Sequence, residues 1–296
     1  MTTKCNRVFC PVNNFVVELE LLENTNTDPL IPEIMSEKNR CARYYCDKFK
    51  VIDIREKITN IAHTQIPDFE VNKTYQHTYI KTPIYFDRRV ALFKDLDTSK
   101  YTGEYCSWYD DGQQYAKCYF ENGQYHGEFI TWHPNGQIQC QRFYNHGKEI
   151  DEYKSCYGNG KLEYLIKWEN ENKQVTHYHR NGNLHYKYNY KNNIIDGENK
   201  EWYENGLPSR ESYYINDKEE SFVREWFRSG PIFCEYFCVG GNIDGLRKIW
   251  FLHGRLQELS MYKNGKKDGW CYKFYASGKI KSCICYANGR KCKDFN

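Results

Sequence analysis

The chain has 296 residues, of which 40% are hydrophobic and 27% charged, and its mean hydropathy of −0.87 alone would suggest disorder. Yet 17% of the residues are aromatic, with 27 Tyr, 16 Phe and 7 Trp, whereas disordered chains are poor in aromatic side chains. The 42 basic and 39 acidic residues leave a net charge of +3, which is low for a dedicated nucleic-acid-binding protein. These numbers predict one or two folded domains whose buried surface is largely aromatic.

The sequence carries no recognisable membrane or secretion signal. It lacks a run of about 20 apolar residues, and its most apolar N-terminal stretch, residues 15–22, contains Glu18 and Glu20, unlike the apolar core of a signal peptide. We therefore expect an intracellular protein of a reducing, cytoplasm-like compartment, neither secreted nor transmembrane. The 14 Cys show no CxxC spacing typical of zinc sites, so buried or half-buried free thiols are expected.

Residues 1–98 lack the periodicity found later in the chain. Residues 15–23 are predicted to be a strand or a helix, residues 24–32 a loop, and residues 75–86 strand-like. An amphipathic helix is predicted over residues 51–62, because their apolar residues are spaced 3, 4 and 3 apart: Val51, Ile54, Ile58 and Ile61. Together these elements predict a small mixed α+β region, which is either a small domain or a cap on the rest of the chain.

Residues 99–296 contain an internal repeat. First-turn glycines recur 24, 24, 22, 24, 24, 24 and 24 residues apart: Gly112, Gly136, Gly160, Gly182, Gly206, Gly230, Gly254 and Gly278. A second turn follows each of them by 11 residues, or by 12 in the third unit: Gly123, Gly147, Asn172, Asn193, Asp217, Gly241, Gly265 and Gly289. Gly, Asn and Asp tolerate a left-handed backbone, and Asn-Gly is a strong hairpin signal. The spacing predicts a mainly β fold, an elongated single-layer antiparallel β-meander of eight hairpin units and about 16 strands.

Strand alternation predicts which side chains share a face of this sheet. The large residues four before, two after and eight after each first-turn glycine have matching parity and are predicted to form one spine; in the first unit they are Trp108, Gln114 and Phe120. A second ladder stands three residues before each glycine, on the opposite face: Tyr109, His133, Tyr157, His179, Tyr203, Phe227, Phe251 and Tyr275. Either another layer covers this ladder or it binds a partner, since Tyr and Phe are enriched at protein interfaces.

The repeat units match a known pattern. Residues 127–136 (GEFITWHPNG) and 197–206 (GENKEWYENG) resemble MORN repeats, in particular the variant found in tandem in bacterial antitoxin-like proteins and in many proteins of large amoeba-infecting DNA viruses. The family's glycine four residues after the second turn is kept at four positions: Gly127, Gly197, Gly245 and Gly269. It is replaced at three others: Asp151, Thr176 and Ser221. The resemblance implies a repeat scaffold and leaves its function open.

Motifs for chemistry are absent from the sequence. It contains no nucleotide-binding, nucleophile-elbow or metalloprotease motif. His177 and His179 lie on one predicted strand face and could meet a metal, but no nearby residue completes a ligand set. We therefore expect no enzymatic activity, no cofactor and no bound metal, and solvated histidines at these two positions.

The C-terminal units are basic. Residues 263–293 contain nine Lys or Arg and one acidic residue, Asp268. The predicted basic patch consists of Lys263, Lys266, Lys267, Lys279, Lys281, Arg290, Lys291 and Lys293. Such charges either prevent edge-to-edge pairing of strands or attract an acidic partner.

The predicted function is a non-enzymatic scaffold that binds other proteins within a larger assembly, such as a minor capsid or virion component of a large DNA virus. Two alternatives stay open. One is a peripheral module that binds anionic phospholipid membranes, as the family name (membrane occupation and recognition nexus) implies. The other is an antitoxin-like protein that neutralises one partner. No specific nucleic-acid recognition is expected.

Overall fold

The computed structural model describes residues 7–13, 15–22, 25, 27–28, 42–46, 48–57, 62, 64–66, 69–76, 84–85 and 87–295. It forms two compact units, one of residues 1–150 with 158–160 and the other of residues 151–157 with 161–296. Strand β14 (Lys148–Cys156) runs across this division. Among the described residues, no helix has the length and apolar character needed to span a bilayer.

The N-terminal part of the first compact unit is a four-stranded antiparallel sheet of strand order β1-β2-β5-β8, with two separate two-stranded sheets, β3-β4 and β6-β7. Its strands are β1 (Arg7–Val12), β2 (Phe15–Leu21), β3 (Thr27–Asp28), β4 (Tyr45–Cys46), β5 (Lys48–Glu56), β6 (Gln65–Ile66), β7 (Phe69–Glu70) and β8 (Thr74–Gln76). The helix α1 (Arg88–Phe93) follows, and the Asp87 carboxylate caps its start by accepting the Arg89 backbone N–H.

This N-terminal sheet has its own hydrophobic core. Leu19, Phe49 and Ile54 are almost fully buried within it, and Phe49 stacks on Tyr75 with ring centroids 5.1 Å apart. Helix α1 joins the sheet to the first repeat, because Phe93 contacts Tyr105 (5.3 Å) and Trp108 (6.4 Å) of strand β9 (Gly103–Trp108).

The helix predicted over residues 51–62 is wrong, because Val51 to Glu56 belong to strand β5. A β-bulge explains the helix-like spacing: Glu18 pairs with Asp53 and Leu19 with Val51, so one extra residue is inserted between them. The insertion turns both Val51 and Ile54, three residues apart, into the core. Ile58 and Ile61 lie outside the described residues.

The other N-terminal predictions fall partly on the described residues. Residues 15–23, left open as strand or helix, contain β2. Of the predicted loop at 24–32, residues 27–28 form β3, and most of the rest lies outside the described residues. Within the strand-like stretch at 75–86, the structure places residues 75–76 in β8 and pairs residues 84 and 85 in isolated bridges, whereas residues 77–83 are not described.

The repeats form an antiparallel sheet of sequential hairpins that is not closed, as predicted. In the first compact unit the strands after β9 are β10 (Gln114–Glu121), β11 (Gln124–Tyr125), β12 (Gly127–Trp132) and β13 (Ile138–Asn145). In the second compact unit the strands after β14 are β15 (Leu162–Glu169), β16 (Asn172–Tyr178), β17 (Leu184–Lys191), β18 (Ile194–Ile195), β19 (Gly197–Trp202), β20 (Pro208–Ile215), β21 (Lys218–Glu219), β22 (Ser221–Trp226), β23 (Ile232–Val239), β24 (Asn242–Ile243), β25 (Gly245–Trp250), β26 (Leu256–Lys263), β27 (Lys266–Phe274), β28 (Ile280–Ala287) and β29 (Arg290–Phe295).

The second turn of the repeat is a two-residue hairpin loop. In the first repeat, Glu121 pairs with Gln124 across Asn122 (φ 49°) and Gly123 (φ 79°), and positive φ at both central residues is the signature of a type I′ turn. Asn and Gly are suited to these positions because they adopt a left-handed backbone at little cost.

The third repeat departs from this plan, and the prediction of its second turn at Asn172 is wrong. Glu169 pairs with Asn172, so the loop consists of Asn170 and Glu171, and Asn172 begins β16. Strands β15 and β16 then pair without a register shift. The residues that elsewhere bend the strand after the second turn are missing, which accounts for the 22-residue step.

Candidate interaction surfaces

A β-bulge in every repeat decides which side chains share a face. In the second repeat, Trp132 pairs with Ile138 but Thr131 pairs with Cys140, so one extra residue is inserted after the first turn. The same shift occurs in all eight repeats. The bulge reverses the alternation, and the predicted single spine is therefore wrong. The residues four before and two after the first-turn glycine lie on one face, which we call the outer face. The residue eight after it lies on the opposite face, which we call the core face.

The core face holds most of the buried apolar side chains of the repeats. In the second compact unit, Val223, Cys234, Tyr236 and Cys238 form a buried cluster against which Phe233 packs. In the first compact unit, the corresponding buried residues of β10 are Ala116, Cys118 and Phe120. Burial raises the pKa of the Cys118 thiol to about 12 and that of Cys238 to about 11, so both remain protonated and behave as small apolar groups.

The ladder predicted to bind a partner lies toward the core face and contacts the following repeat. The hydroxyl of Tyr109 donates a hydrogen bond to the carbonyl of Trp132 (2.8 Å), and the Tyr203 hydroxyl donates to the carbonyl of Trp226 (2.6 Å). Tyr157 makes the equivalent bond to the Tyr178 carbonyl (2.7 Å), and His179 Nε2 lies 3.1 Å from the Trp202 carbonyl. Four ladder residues thus tie one repeat to the next.

The other ladder residues have neighbours within their own repeat. The rings of Phe227 and Phe233 meet edge to face at 5.0 Å, and Phe251 stacks on His253 at 5.4 Å. The Lys281 ammonium lies 5.7 Å from the ring of Tyr275, whose side chain is exposed. His133 closes its turn through a backbone N–H bond to the Gln137 carbonyl. Binding of a partner by the ladder stays a prediction.

The outer face of the last three repeats is apolar and exposed. Three cross-strand pairs follow one another there: Phe222 with Phe237, Leu246 with Met261, and Trp270 with Cys285. Five of these six residues carry large apolar side chains that are 37–44% exposed: Phe222, Phe237, Leu246, Met261 and Trp270.

Earlier repeats place a carboxylate at the same outer-face position. Glu104 faces Tyr119, Glu128 faces Phe143 and Glu198 faces Tyr213. The sequence shows this change from Glu to Phe, Leu and Trp eight residues before the first-turn glycine. The prediction from strand alternation missed it, because the bulge was not anticipated and the aromatic residues seven after the glycine were assigned to the ladder's face.

A charged network crosses the core face between the fifth and sixth repeats. Arg210 donates hydrogen bonds to both Glu219 and Glu225, and the hydroxyls of Tyr214 and Tyr236 donate to the same two carboxylates at 2.9 and 3.4 Å. Burial opposes the charge of Arg210, but the carboxylate of Glu219 outweighs it and raises the pKa of the guanidinium. The network thus neutralises charge inside the sheet and joins consecutive hairpins.

The two histidines singled out from the sequence belong to a cluster of three. His177 Nδ1 lies 2.9 Å from His185 Nδ1, and His185 stacks on His179 with ring centroids 4.2 Å apart. Burial, together with the neighbouring histidines, lowers the pKa of His177 and of His185. These rings are half-buried stacking partners of the core face, and the expectation that His177 and His179 are solvated is not met.

The basic patch is exposed but does not lie on a single face. Lys267 is the half-buried exception and pairs with Glu258 at 3.1 Å. Lys291 is opposite Tyr286 and Lys293 is opposite Cys285, so neighbouring positions of β29 point to opposite faces. The others are exposed around the last turns: Lys263, Lys266, Lys279, Lys281 and Arg290.

Comparisons with known proteins support the repeat assignment. The family described as "MORN repeat variant" matches residues 125–146, 171–192, 195–216 and 267–288. No curated protein matches the chain. Two crystal structures, titled TcdB2-TccC3 and TcdB2-TccC3-Cdc42, are 10% and 12% identical to it, with TM-scores of 0.19 and 0.15. Each match covers 91% of this chain, which spans only 18% of the length of the matched chains, and carries no conclusion about fold or function. The four matched segments, each one hairpin of the repeating sheet, show that the chain is a MORN-repeat protein.

Proposed function

We propose that this protein is a non-enzymatic scaffold that binds another protein through the outer face of its last three repeats. The observation that carries the proposal is the exposed series of apolar cross-strand pairs: Phe222 with Phe237, Leu246 with Met261, and Trp270 with Cys285. Contiguous exposed apolar patches on soluble proteins commonly mark interaction sites. Aromatic residues and Met are also the side chains enriched at interfaces.

Neighbouring residues extend this patch across the strands. Trp226 pairs with Ile232 and Trp250 with Leu256 on the same face. Arg224 and Glu235 form an ion pair at 2.9 Å between the two apolar rows. An apolar surface interrupted by a paired charge suits a protein partner, because a polar group of that partner can satisfy the ion pair's remaining hydrogen-bonding capacity.

Site-specific crosslinking tests the proposal. A photoreactive amino acid replaces Phe237 in the full chain, and a matched chain carries it at Tyr119, which is equally exposed and faces Glu104. We expect crosslinks to a defined partner in the native source from position 237 and none to that partner from position 119. Equal crosslinking from both positions, or none from 237, would contradict the proposal. Sedimentation of the purified chain shows whether that partner is a second copy.

The N-terminal region is proposed to act as a cap for the array, with residues 1–98 forming the cap and residues 99–296 the repeats. Repeat arrays need their ends covered. Support comes from Phe93 of α1, which packs on Tyr105 and Trp108 of the first repeat strand. A chain starting at residue 99 should therefore lose protection of strand β9 in hydrogen exchange. Unchanged protection would argue for an independent domain.

Binding to an anionic membrane is the second candidate function. It is favoured by the exposed lysines around the last turns, where Lys263 and Lys266 directly oppose each other across the strands. Like charges in that arrangement destabilise a free sheet and are relieved by an anionic surface. Liposomes containing phosphatidylserine test it: binding at low salt that is reversed by added salt supports the candidate, and no binding at low salt removes it.

Two narrower versions of the scaffold remain proposals. As a minor capsid or virion component, the protein would co-purify with a large assembly, whereas an antitoxin-like protein would form a stoichiometric complex with one partner and abolish its activity. Size-exclusion chromatography of the crosslinked complex separates these two outcomes. The absence of catalytic motifs from the sequence supports a non-enzymatic role in either case.

A further inference from the structure

Successive second turns are joined by a recurring hydrogen bond. The residue ten before each first-turn glycine is usually acidic, and its carboxylate accepts a backbone N–H from the next second turn. Examples are Asp196 with Asn216 (3.1 Å), Asp244 with Asn264 (3.0 Å) and Asp268 with Asn288 (3.2 Å). A charge-assisted bond of this kind holds one loop above another.

One pair of turns replaces both partners of this bond with histidine. His126 stands at the acidic position, and His146 stands at the position occupied by Asn in the examples above. Glu121, the last residue of β10, lies beside them. All three belong to the first compact unit. The substitution of an acid and an amide by two imidazoles in one contacting pair is a departure that a scaffold does not require.

The three side chains converge on one point. His126 Nδ1 lies 3.3 Å from Glu121 Oε2, and His146 Nε2 lies 3.2 Å from the same oxygen. All three atoms lie within 4.8 Å of one another, and the two imidazole rings meet edge to face at 4.9 Å. Two imidazole nitrogens and one carboxylate oxygen form a common ligand set for divalent transition metals.

Hydrogen bonding leaves both nitrogens available for a metal. The Asn145 Oδ1 atom lies 2.7 Å from His146 Nδ1 and accepts its proton, so that the lone pair of His146 is on Nε2, facing Glu121. His126 Nδ1 is buried and makes no hydrogen bond within the described part of the chain. Metal-binding histidines are typically oriented in this way, by a hydrogen bond from the second ring nitrogen.

We propose that Glu121, His126 and His146 bind a divalent transition-metal ion, with Zn²⁺ as the probe that defines the site. Zn–N and Zn–O bonds of about 2.0–2.1 Å in a tetrahedron separate neighbouring ligand atoms by about 3.3–3.4 Å. The two measured contacts to Glu121 Oε2, 3.3 and 3.2 Å, match this separation. A water molecule would complete the tetrahedron, and the partial exposure of all three side chains gives the ion a path from solvent.

The bound ion takes the place of the hydrogen bond that the other turns use. It links the hairpin loop at Asn122-Gly123, through Glu121 and His126, to the loop at His146-Gly147. The backbone already connects these loops, because the Gly147 N–H donates to the Tyr125 carbonyl (2.8 Å). Metal binding should therefore stabilise this part of the array against unfolding, since the site exists only in the folded chain.

Zn²⁺ titration of the full, tag-free chain in a non-coordinating reductant tests the proposal, with a chromophoric chelator as competitor. We expect one equivalent to be lost in the variant His126→Asp/His146→Asn, which restores the residues that other repeats carry and so preserves the turn. Glu121→Gln and His146→Asn alone should each weaken the affinity at least tenfold. His253→Asn, an exposed turn histidine elsewhere, is the matched control and should leave the affinity unchanged.

Two further measurements identify the ligands and the effect of the ion on stability. Substitution by Co²⁺ distinguishes this site from the chain's cysteines, because a nitrogen and oxygen ligand set gives no thiolate charge-transfer absorption. The melting temperature should rise with Zn²⁺ in the natural chain and stay constant in the double variant. The proposal is overturned if the double variant binds Zn²⁺ with the same stoichiometry and affinity, if the Co²⁺ spectrum shows thiolate ligation at the equivalent that the double variant loses, or if the natural chain binds no Zn²⁺.

Discussion

The hydrogen bond from Tyr203 to the next repeat is the contact whose removal tests the stacking of the repeats most directly. The Tyr203 hydroxyl donates to the carbonyl of Trp226 at 2.6 Å and is partly buried. Tyr203→Phe removes only the hydroxyl. The smaller side chain fits, because Phe occupies the same repeat position at Phe227 and Phe251. The substitution therefore leaves one carbonyl without its protein partner and creates no steric conflict.

The expected cost follows from the chemistry of that carbonyl. A neutral intramolecular hydrogen bond contributes about 0.5–1.5 kcal/mol net, and a buried acceptor left unpaired moves the cost toward the upper end. Because the site is only partly buried, water can replace the lost donor in part. We therefore expect a loss of about 1 kcal/mol, which corresponds to a fall in melting temperature of roughly 2–4 °C for a unit of 150–250 residues.

Urea unfolding and hydrogen exchange together measure this loss. Tyr275→Phe is the matched control, because Tyr275 belongs to the last repeat and is 52% exposed, so its substitution should change the stability by less than about 0.3 kcal/mol. The exchange of amides near Trp226 should increase in the Tyr203 variant while the urea m-value stays constant. Equal stability of the Tyr203 variant and the natural chain would refute the claim that these hydroxyls join the repeats.

Three further substitutions test other contacts. Gly269→Ala should cost about 1–2 kcal/mol, because φ is +109° and a Cβ would lie 3.0 Å from a neighbouring side chain, whereas Gly158→Ala, in open space, should be nearly neutral in thermal melts. Arg210→Met should cost about 2 kcal/mol in urea unfolding by leaving two carboxylates unpaired, and a milder loss than about 0.5 kcal/mol would show that the network is solvated. Burial and neighbouring imidazoles lower the pKa of His177 and His185, so the chain should lose stability as the pH falls below about 6.5, and His177→Gln should reduce that loss when urea midpoints are compared at neutral and acidic pH.

The hairpin repeat could be predicted from the sequence because its turns restrict the residues that fit them. The second turns need positive φ at two successive positions, which Asn122 and Gly123 adopt at 49° and 79°. Such positions favour Asn, Asp and Gly in any context, so they recur visibly at a constant interval. In the third repeat two residues are missing, and counting from the first-turn glycine placed the turn at Asn172 instead of Asn170-Glu171.

The faces of the sheet could not be predicted, because a β-bulge has no comparably specific sequence signal. One extra residue between Trp132 and Cys140 reverses the inward and outward alternation without changing the repeat length. A bulge in β5 had the same effect on the N-terminal prediction, because it gives Val51 and Ile54 the spacing of a helix. Alternation therefore predicts faces reliably only within an uninterrupted ladder.

The regularity of the scaffold gives weight to the places where it changes. An acid that caps the next turn contributes a charge-assisted hydrogen bond, typically about 1.5–3 kcal/mol, so its replacement by His126 sacrifices stability unless another interaction takes over. The change from Glu to Phe, Leu and Trp on the outer face similarly exchanges solvated carboxylates for apolar groups that remain 37–44% exposed. Neither change improves the packing of the repeat itself. Residues that break a local rule without a structural gain are those expected to carry function. On this reasoning the turn pair at Glu121 and the outer face of the last three repeats should act independently, because they use different residues: the double variant His126→Asp/His146→Asn should lose Zn²⁺ yet keep crosslinking through position 237.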